Sequence, residues 1–167
     1  QGYHNYIIAD VDWDGRDEIV FGSMVIDDNG KGLSTTGLGH GDAMHCSDFN
    51  PYTHGQEVFA CNEDAQGYNY RDATTSKIYK CELHVGKDVG RSMMGNFSDS
   101  YPGSIGVAWG NPVSSVKNDY VNGIVNEGIN SNFRIYWDGD LCSETFNGLK
   151  DHDSEGVIAK YGSWAPI

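Results

Sequence analysis

Asp10, Asp12 and Asp14 alternate ahead of Gly15, and Glu18 follows. Carboxylates at i, i+2 and i+4 converge when the chain turns sharply. The glycine supplies the turn, and a later acid closes the set. All-oxygen donors of this kind suit a hard cation, calcium above all. In helix-flanked calcium loops the closing acid comes later; here it stands nearer, and the flanks read as strands. The expected ligands are Asp10, Asp12, Asp14 and Glu18, with the backbone carbonyl of Arg16 as a fifth. The expected role is structural, joining two strands across charges that would otherwise repel.

A second group lies in Gly37-Leu38-Gly39-His40-Gly41-Asp42-Ala43-Met44-His45. If the chain is extended after Gly39, alternation puts His40 and Asp42 on one face and His45 on the other. An imidazole and a carboxylate among glycines that admit a ligand make a metal or substrate site. The plainer reading is a glycine-rich turn with one solvated aspartate. His4, His54 and His84, taken singly, read as surface or packing residues. No Gly-x-Ser-x-Gly motif and no Ser-His-Asp arrangement points to a serine nucleophile.

The elements that position these residues are short strands. Residues 6–9 read as a strand, 10–18 as an acidic loop and 19–22 as a strand. Residues 23–26 lead to the turn Asp27-Asp28-Asn29-Gly30, with 32–36 returning. The order then recurs. Ser47-Asp48-Phe49-Asn50-Pro51 precedes Gly55-Gln56-Glu57 and the apolar Val58-Phe59-Ala60-Cys61. Gly95-Asn96-Phe97-Ser98 precedes Pro102-Gly103-Ser104-Ile105 and Val107-Ala108-Trp109. The starts at Asp10, Asp48 and Asn96 are 38 and 48 residues apart. The second copy keeps Asp48, Asn50 and Glu57, a set for a weaker ion. The third has Asn96, Ser98 and Asp99, with Ile105 in place of the acid, and reads as an ordinary turn. Residues 76–83 alternate as a strand, 132–137 lead into the turn Asp138-Gly139-Asp140, and 157–161 follow Asp151-His152-Asp153. Residues 113–131 read as a long loop, and no window makes an amphipathic helix. Repeats of about 40–50 residues with four short strands each predict an all-β chain, a partial β-propeller with calcium-binding loops. About three to four blades cannot close a ring. Residues 1–167 are therefore expected to form one segment of a larger propeller domain, whose remainder closes the fold.

The 167 residues allow one domain with a core. Twenty-four acidic against 11 basic residues give a net charge of −13. That argues against nucleic acid, because nothing would neutralise its phosphates. No apolar run has the length of a membrane span, so no membrane partner is expected. No leader is visible and Gln1 is not a methionine, so a leader is expected upstream. Cys46, Cys61, Cys81 and Cys142 match no zinc or redox spacing. They read as buried small hydrophobes rather than disulfide partners.

Three blocks together resemble rhamnogalacturonan lyases of polysaccharide lyase family 11. They are Ala9-Asp10-Val11-Asp12-Trp13-Asp14-Gly15-Arg16-Asp17-Glu18-Ile19, Ile26-Asp27-Asp28-Asn29-Gly30-Lys31-Gly32-Leu33 and Gly37-Leu38-Gly39-His40-Gly41-Asp42-Ala43. Gly90-Arg91, Tyr101-Pro102-Gly103 and Phe133-Arg134-Ile135-Tyr136-Trp137-Asp138-Gly139-Asp140 fit in the same order. The resemblance implies an eight-bladed, calcium-rich propeller of which this chain is about the central third. It implies an active-site calcium held by His4, His40, Asp42 and Glu63, although two imidazoles also suit a softer metal. It implies that Arg91 binds the uronate carboxylate or assists proton transfer, and it makes Arg91 and His40 the catalytic candidates. Ser92 departs from the family's Gly-Arg-Gly, and no lysine of this chain matches the family's lysine. The implied reaction is calcium-assisted β-elimination between rhamnose and galacturonate in pectic rhamnogalacturonan I. Its setting would be secreted or extracellular, and this segment alone would be catalytically incomplete. The competing reading is a non-catalytic calcium propeller, akin to integrin-type repeats, that binds protein or glycan. Such a module has no use for the set His4, His40, Asp42 and Glu63. A glycoside hydrolase would need a carboxylate pair that stands apart from the calcium loops, and none does.

Overall fold

The computed structural model describes residues 2–98, 103–108, 111–115, 131–148 and 156–160. Among them every regular element is a strand, and the strands form four antiparallel sheets in chain order. The first sheet is β1 (Tyr6–Ala9), β2 (Glu18–Phe21), β3 (Met24–Ile26) and β4 (Gly32–Thr35). The second is β5 (Met44–Ser47), β6 (Glu57–Asn62), β7 (Gly67–Asp72) and β8 (Ile78–Glu82). The third holds β9 (Ser92–Gly95), β10 (Ile105–Ala108) and β11 (Asn111–Ser115). The fourth holds β12 (Phe133–Ile135), β13 (Glu144–Gly148) and β14 (Gly156–Lys160). The first strands adjoin in series: β1 lies beside β5, β5 beside β9 and β9 beside β12.

Packing explains the order. Strand β6 is buried along its whole length, because both faces of the second sheet are covered. Alternation sends Val58 and Ala60 to a cluster with Val20, Val25 and Met44. Phe59 and Cys61 go to the other face, against Tyr68, Tyr70, Met94 and Ala108. Each such side chain contributes about 1.5–3 kcal/mol on burial, so truncating Phe59 in mid-stack would cost about 3–5 kcal/mol. Polar ties cross the same seams. Arg71 is fully buried and donates to Asn69 Oδ1 (2.7 Å) and to the Gly22 carbonyl of the first sheet. Burial lowers its pKa to about 10, which still leaves a cation at neutral pH. His45 Nε2 donates to the Ser92 carbonyl (3.0 Å), joining second sheet to third. Burial lowers its pKa to about 4. The outer face of the first sheet is different: Tyr6, Ile8, Ile19 and Met24 are all more than 40 % exposed.

Several sequence expectations need correcting. Residues 36–43 lie outside any strand, and β5 begins at Met44. His40 and Asp42, two residues apart in this segment, nonetheless share one side-chain group. Strands β5, β7, β9 and β13 were not legible, and Val113 belongs to β11 rather than to a loop. All four cysteines are free, but Cys81 is exposed and only Cys61 is fully buried. Asp99, Tyr101, Pro102, Trp109, residues 116–130, Asp151, His152, Asp153 and Tyr161 lie outside the described residues.

Candidate functional site

The site begins with a segment that runs beside the glycine-rich turn. The His4 N–H donates to the Gly41 carbonyl (3.1 Å), and Asn5 Nδ2 donates to the Met44 carbonyl (3.2 Å). The Tyr3 hydroxyl donates to the carbonyls of Ala43 (3.1 Å) and Cys61. Burial raises the Tyr3 pKa, so it stays a donor. A Cβ at Gly41 would overlap both the Cys61 carbonyl and the Tyr3 ring. Glycine there serves backbone packing rather than ligand access.

This docking sets two imidazoles edge to face, His4 against His40, with centroids 4.8 Å apart. His4 Nε2 lies 3.7 Å from Asp42 Oδ1, and Arg91 Nη1 lies 3.8 Å from Asp42 Oδ2. His40 Nε2 lies 2.9 Å from Glu63 Oε2. One ligand atom each from His4, His40 and Asp42 falls within a 4.8 Å group. The turn between β6 and β7 delivers Glu63, whose N–H donates to the His40 carbonyl (2.8 Å). It also delivers Asp64, which no sequence signal marked: its Oδ2 accepts the His40 N–H (2.8 Å). Arg91 sits just before β9, half exposed, over a depression lined by His4, Asn5, Asp42, Asn132 and Phe133. Asn132 also escaped the sequence reading. Its Oδ1 accepts the Ser92 N–H (3.1 Å) and ties the fourth sheet to the Arg91 segment.

The tautomer of His40 tests whether a cation fits. Its Nδ1 hydrogen-bonds to the Gly2 carbonyl, so that nitrogen carries the proton. A neutral ring then turns its Nε2 lone pair toward the Glu63 carboxylate. Two acceptors 2.9 Å apart repel, unless the ring is protonated or a cation joins them. The donor set fits a bound cation, and the carbonyl on Nδ1 supplies the outer support that metal-ligating histidines use.

The acidic loops share one device. In the first, Glu18 Oε2 accepts the Val11 N–H (2.8 Å). In the second, Glu57 Oε2 accepts the Phe49 N–H (2.9 Å). In the fourth sheet, Glu144 Oε2 accepts the Trp137 N–H (2.8 Å). All three glutamates are buried. The first loop brings Asp10, Asp12 and Glu18 within one ligand group, and Glu18 also meets Asp27 and Asp28. Asp14 stands outside that group: its Oδ1 accepts the Arg16 N–H (2.9 Å), while the Arg16 side chain pairs with Asp28 at 2.7 Å. Asp10 Oδ1 and Glu18 Oε1 are buried and accept no hydrogen bond. In the second loop Glu57 has no such orphan, because the Thr53 hydroxyl donates to Oε1 (3.1 Å). Asn50 Oδ1 accepts the Tyr52 N–H (3.1 Å). The third position is Ile105, packed with Met93, Phe97 and Val107. The sequence reading took Asp138-Gly139-Asp140 for a simple turn. The structure groups Asp138 and Asp140 with Glu144, whose Oε1 is buried and unpartnered.

Comparison with known proteins shows the family. Residues 1–165 match the family model described as rhamnogalacturonan lyase family 11, C-terminal domain. The chain is 47 % identical over 165 residues to the rhamnogalacturonan endolyase YesW of Bacillus subtilis (strain 168), covering 96 % of this chain and 26 % of that protein. It is 44 % identical over 173 residues to the rhamnogalacturonan exolyase YesX of the same organism, covering 96 % and 27 %. The crystal structure of YesX superimposes with a TM-score of 0.81 at 39 % identity, over 95 % of this chain and 28 % of that one. The chain thus spans about a quarter of the length of these relatives.

Proposed function

The chain belongs to the rhamnogalacturonan lyase family 11 C-terminal domain family, and on that premise we propose that it supplies part of the active site of a rhamnogalacturonan lyase. The observation that carries this reading is the convergence of His4, His40 and Asp42, with Glu63 against His40 and Arg91 beside Asp42, at one end of the first strands. The reaction would cleave the rhamnose–galacturonate linkage of pectic rhamnogalacturonan I by β-elimination. The C5 proton of the uronate leaves, the C4–O bond breaks, and a C4=C5 double bond forms. Calcium held by His4, His40, Asp42 and Glu63 would supply positive charge against the enolate-like transition state. Arg91 adds a guanidinium that reaches the same carboxylate, held near the site by Asp42. Both ring nitrogens of His40 are engaged, so His40 holds charge rather than moving the C5 proton. The residue that takes that proton lies in the remainder of the protein.

The four sheets are, in this proposal, successive blades of a larger propeller, and calcium in the acidic loops braces them. The bare apolar face of Tyr6, Ile8, Ile19 and Met24 supports it, since a preceding blade would cover that face. A polymeric pectic substrate places the enzyme outside the cell.

The test is to incubate the full-length protein that contains this chain with rhamnogalacturonan I and calcium, and to follow ultraviolet absorbance of the unsaturated product. No absorbance change would sink the lyase reading. His40→Ala and Asp42→Ala should each lower turnover about 10²–10³-fold while the melting temperature holds. Activity equal to the parent would remove these residues from the site.

A further inference from the structure

The loop that closes the first sheet carries a tryptophan in a conformation that tryptophan disfavours. Trp13 has φ +65°, in the left-handed region, and its side chain is 54 % exposed. The fourth-sheet loop shows what the position ordinarily takes. Trp13 and Gly139 each follow an aspartate whose Oδ1 accepts the N–H two residues on, Asp12 to Asp14 and Asp138 to Asp140, both at 3.2 Å. Gly139 has φ +87°. One backbone frame thus holds a glycine, free of strain, in one loop and a large aromatic, strained, in the other. Strain of this kind persists where neighbouring contacts hold it, and it gathers at binding and switch sites.

Burial does not explain Trp13. Among the described residues its ring contact is His54, with centroids 4.7 Å apart and planes at 43°. His54 comes from the second sheet's loop, so Trp13 leans away from the bare face of Tyr6 and Ile8. A preceding blade would therefore not cover the pair. Tyr52, 58 % exposed, stands in the same loop as His54. The position is also remote from the candidate active site. His4 precedes β1 and Asp10 follows it, which separates the two ends by about 20 Å of extended chain.

We propose that Trp13 and His54 form a second, non-catalytic sugar-binding platform that takes neutral pyranose units of a polysaccharide. Aromatic faces stack on the C–H face of a pyranose ring, and the neighbouring Asp14 carboxylate, exposed and outside the ion group, accepts hydrogen bonds from sugar hydroxyls. The charge selects against uronates. The surrounding loop sets Asp10, Asp12, Asp14, Asp17 and Glu18 against Arg16, an acidic excess that one divalent cation does not cancel, so a sugar carboxylate is repelled here. At the other end of β1 the cation Arg91 favours one. The two ends thus sort the neutral and the charged parts of one polymer. The choice of a polysaccharide as partner rests on the lyase reading above; the aromatic pair and its charge do not.

The test is affinity electrophoresis of the full-length protein in gels containing neutral galactan or polygalacturonate, run beside the absorbance assay. Galactan should retard the parent, and Trp13→Gly, Trp13→Ala and His54→Ala should each lose most of that retardation. Trp13→Gly suits φ +65°, so its melting temperature should equal or exceed the parent's and loss of binding cannot be blamed on unfolding. Arg91→Ala should keep full retardation. Equal retardation of parent and all three platform variants, or retardation by polygalacturonate alone, would overturn the proposal. Retardation without lyase activity would sink the lyase reading only, and lyase activity without retardation the platform only.

Discussion

The first and second acidic loops meet the same demand in two ways. Each must place a buried glutamate at the start of a second strand, where one carboxylate oxygen caps a backbone N–H. In the second loop the chain finishes the task itself. Glu57 accepts from Phe49, Asn50 (3.1 Å) and the Thr53 hydroxyl, so both oxygens are satisfied. In the first loop Glu18 Oε1 and Asp10 Oδ1 are left buried without donors, beside Asp12. A buried carboxylate oxygen without a partner costs about 1–3 kcal/mol or more, and hard cations offset that cost. The fourth-sheet loop repeats the first solution, and Ile105 removes the problem by removing the charge. Loops built on one device therefore differ in whether a buried carboxylate oxygen is left without a donor.

The largest way to break this comparison is at Glu57. Glu57→Ala strands two N–H groups and one hydroxyl, and we expect a loss of about 4 kcal/mol in urea unfolding, the same with calcium or with chelator. A loss that depended on calcium would make the second loop an ion site after all. Next comes Asp12→Ala, which should abolish the calcium-dependent part of stability, about 2.7 kcal/mol at calcium one hundred times its dissociation constant. With chelator present it should match the parent within error. A parent indifferent to calcium would end the distinction between the loops. The third effect is a slope. Burial raises the carboxyl pKa of both Glu18 and Glu57. The folded state then holds more protons than the unfolded state between the ordinary value and the raised one, so stability falls as pH rises through that window. Melting in chelator from pH 4 to 7 should show the fall. Glu18→Gln should remove a part that calcium also removes, and Glu57→Gln a part that calcium leaves in place. Identical calcium responses in the two variants would refute separate roles.

How far the sequence could reveal this depends on how local each signal is. The first hairpins are legible because Asp27-Asp28-Asn29-Gly30 is a strong turn between apolar runs. Strands β7 and β13 hide because buried partners override their composition: Arg71 sits within one and Glu144 opens the other. The first acidic loop is legible from three alternating aspartates. The fourth-sheet loop hides because Tyr136 stands where the first loop has Asp10, which leaves two alternating aspartates. The working unit is two aspartates, a left-handed residue between them and a glutamate placed to cap the preceding N–H. At the candidate active site, the residue types and spacing of His40 and Asp42 stand out, yet what holds their segment in place is not local. Tyr3, Gly2 and Asp64 hold that turn through contacts 24–58 residues apart in sequence, which no local pattern encodes.

The smallest expected effect sharpens the comparison most. Trp13 and Gly139 occupy one backbone frame, so Trp13→Gly changes side chain and strain without changing the loop's hydrogen bonds. An L-residue in the left-handed region costs about 1–2 kcal/mol, against which the stacking on His54 returns about 0.5–1.5 kcal/mol. Glycine also enlarges the freedom of the unfolded chain, which takes back part of the relief. The balance predicts a net change from zero to about 1 kcal/mol in favour of glycine, read as an unchanged or slightly raised urea midpoint with an unchanged m-value. His54→Ala should do the opposite: it removes the stacking and leaves the strain, and should cost about 0.5–1.5 kcal/mol. Should Trp13→Gly instead cost as much as a core truncation, Trp13 would be a packing residue of the closed ring, and the first loop's departure from the Gly139 frame would belong to stability rather than to binding.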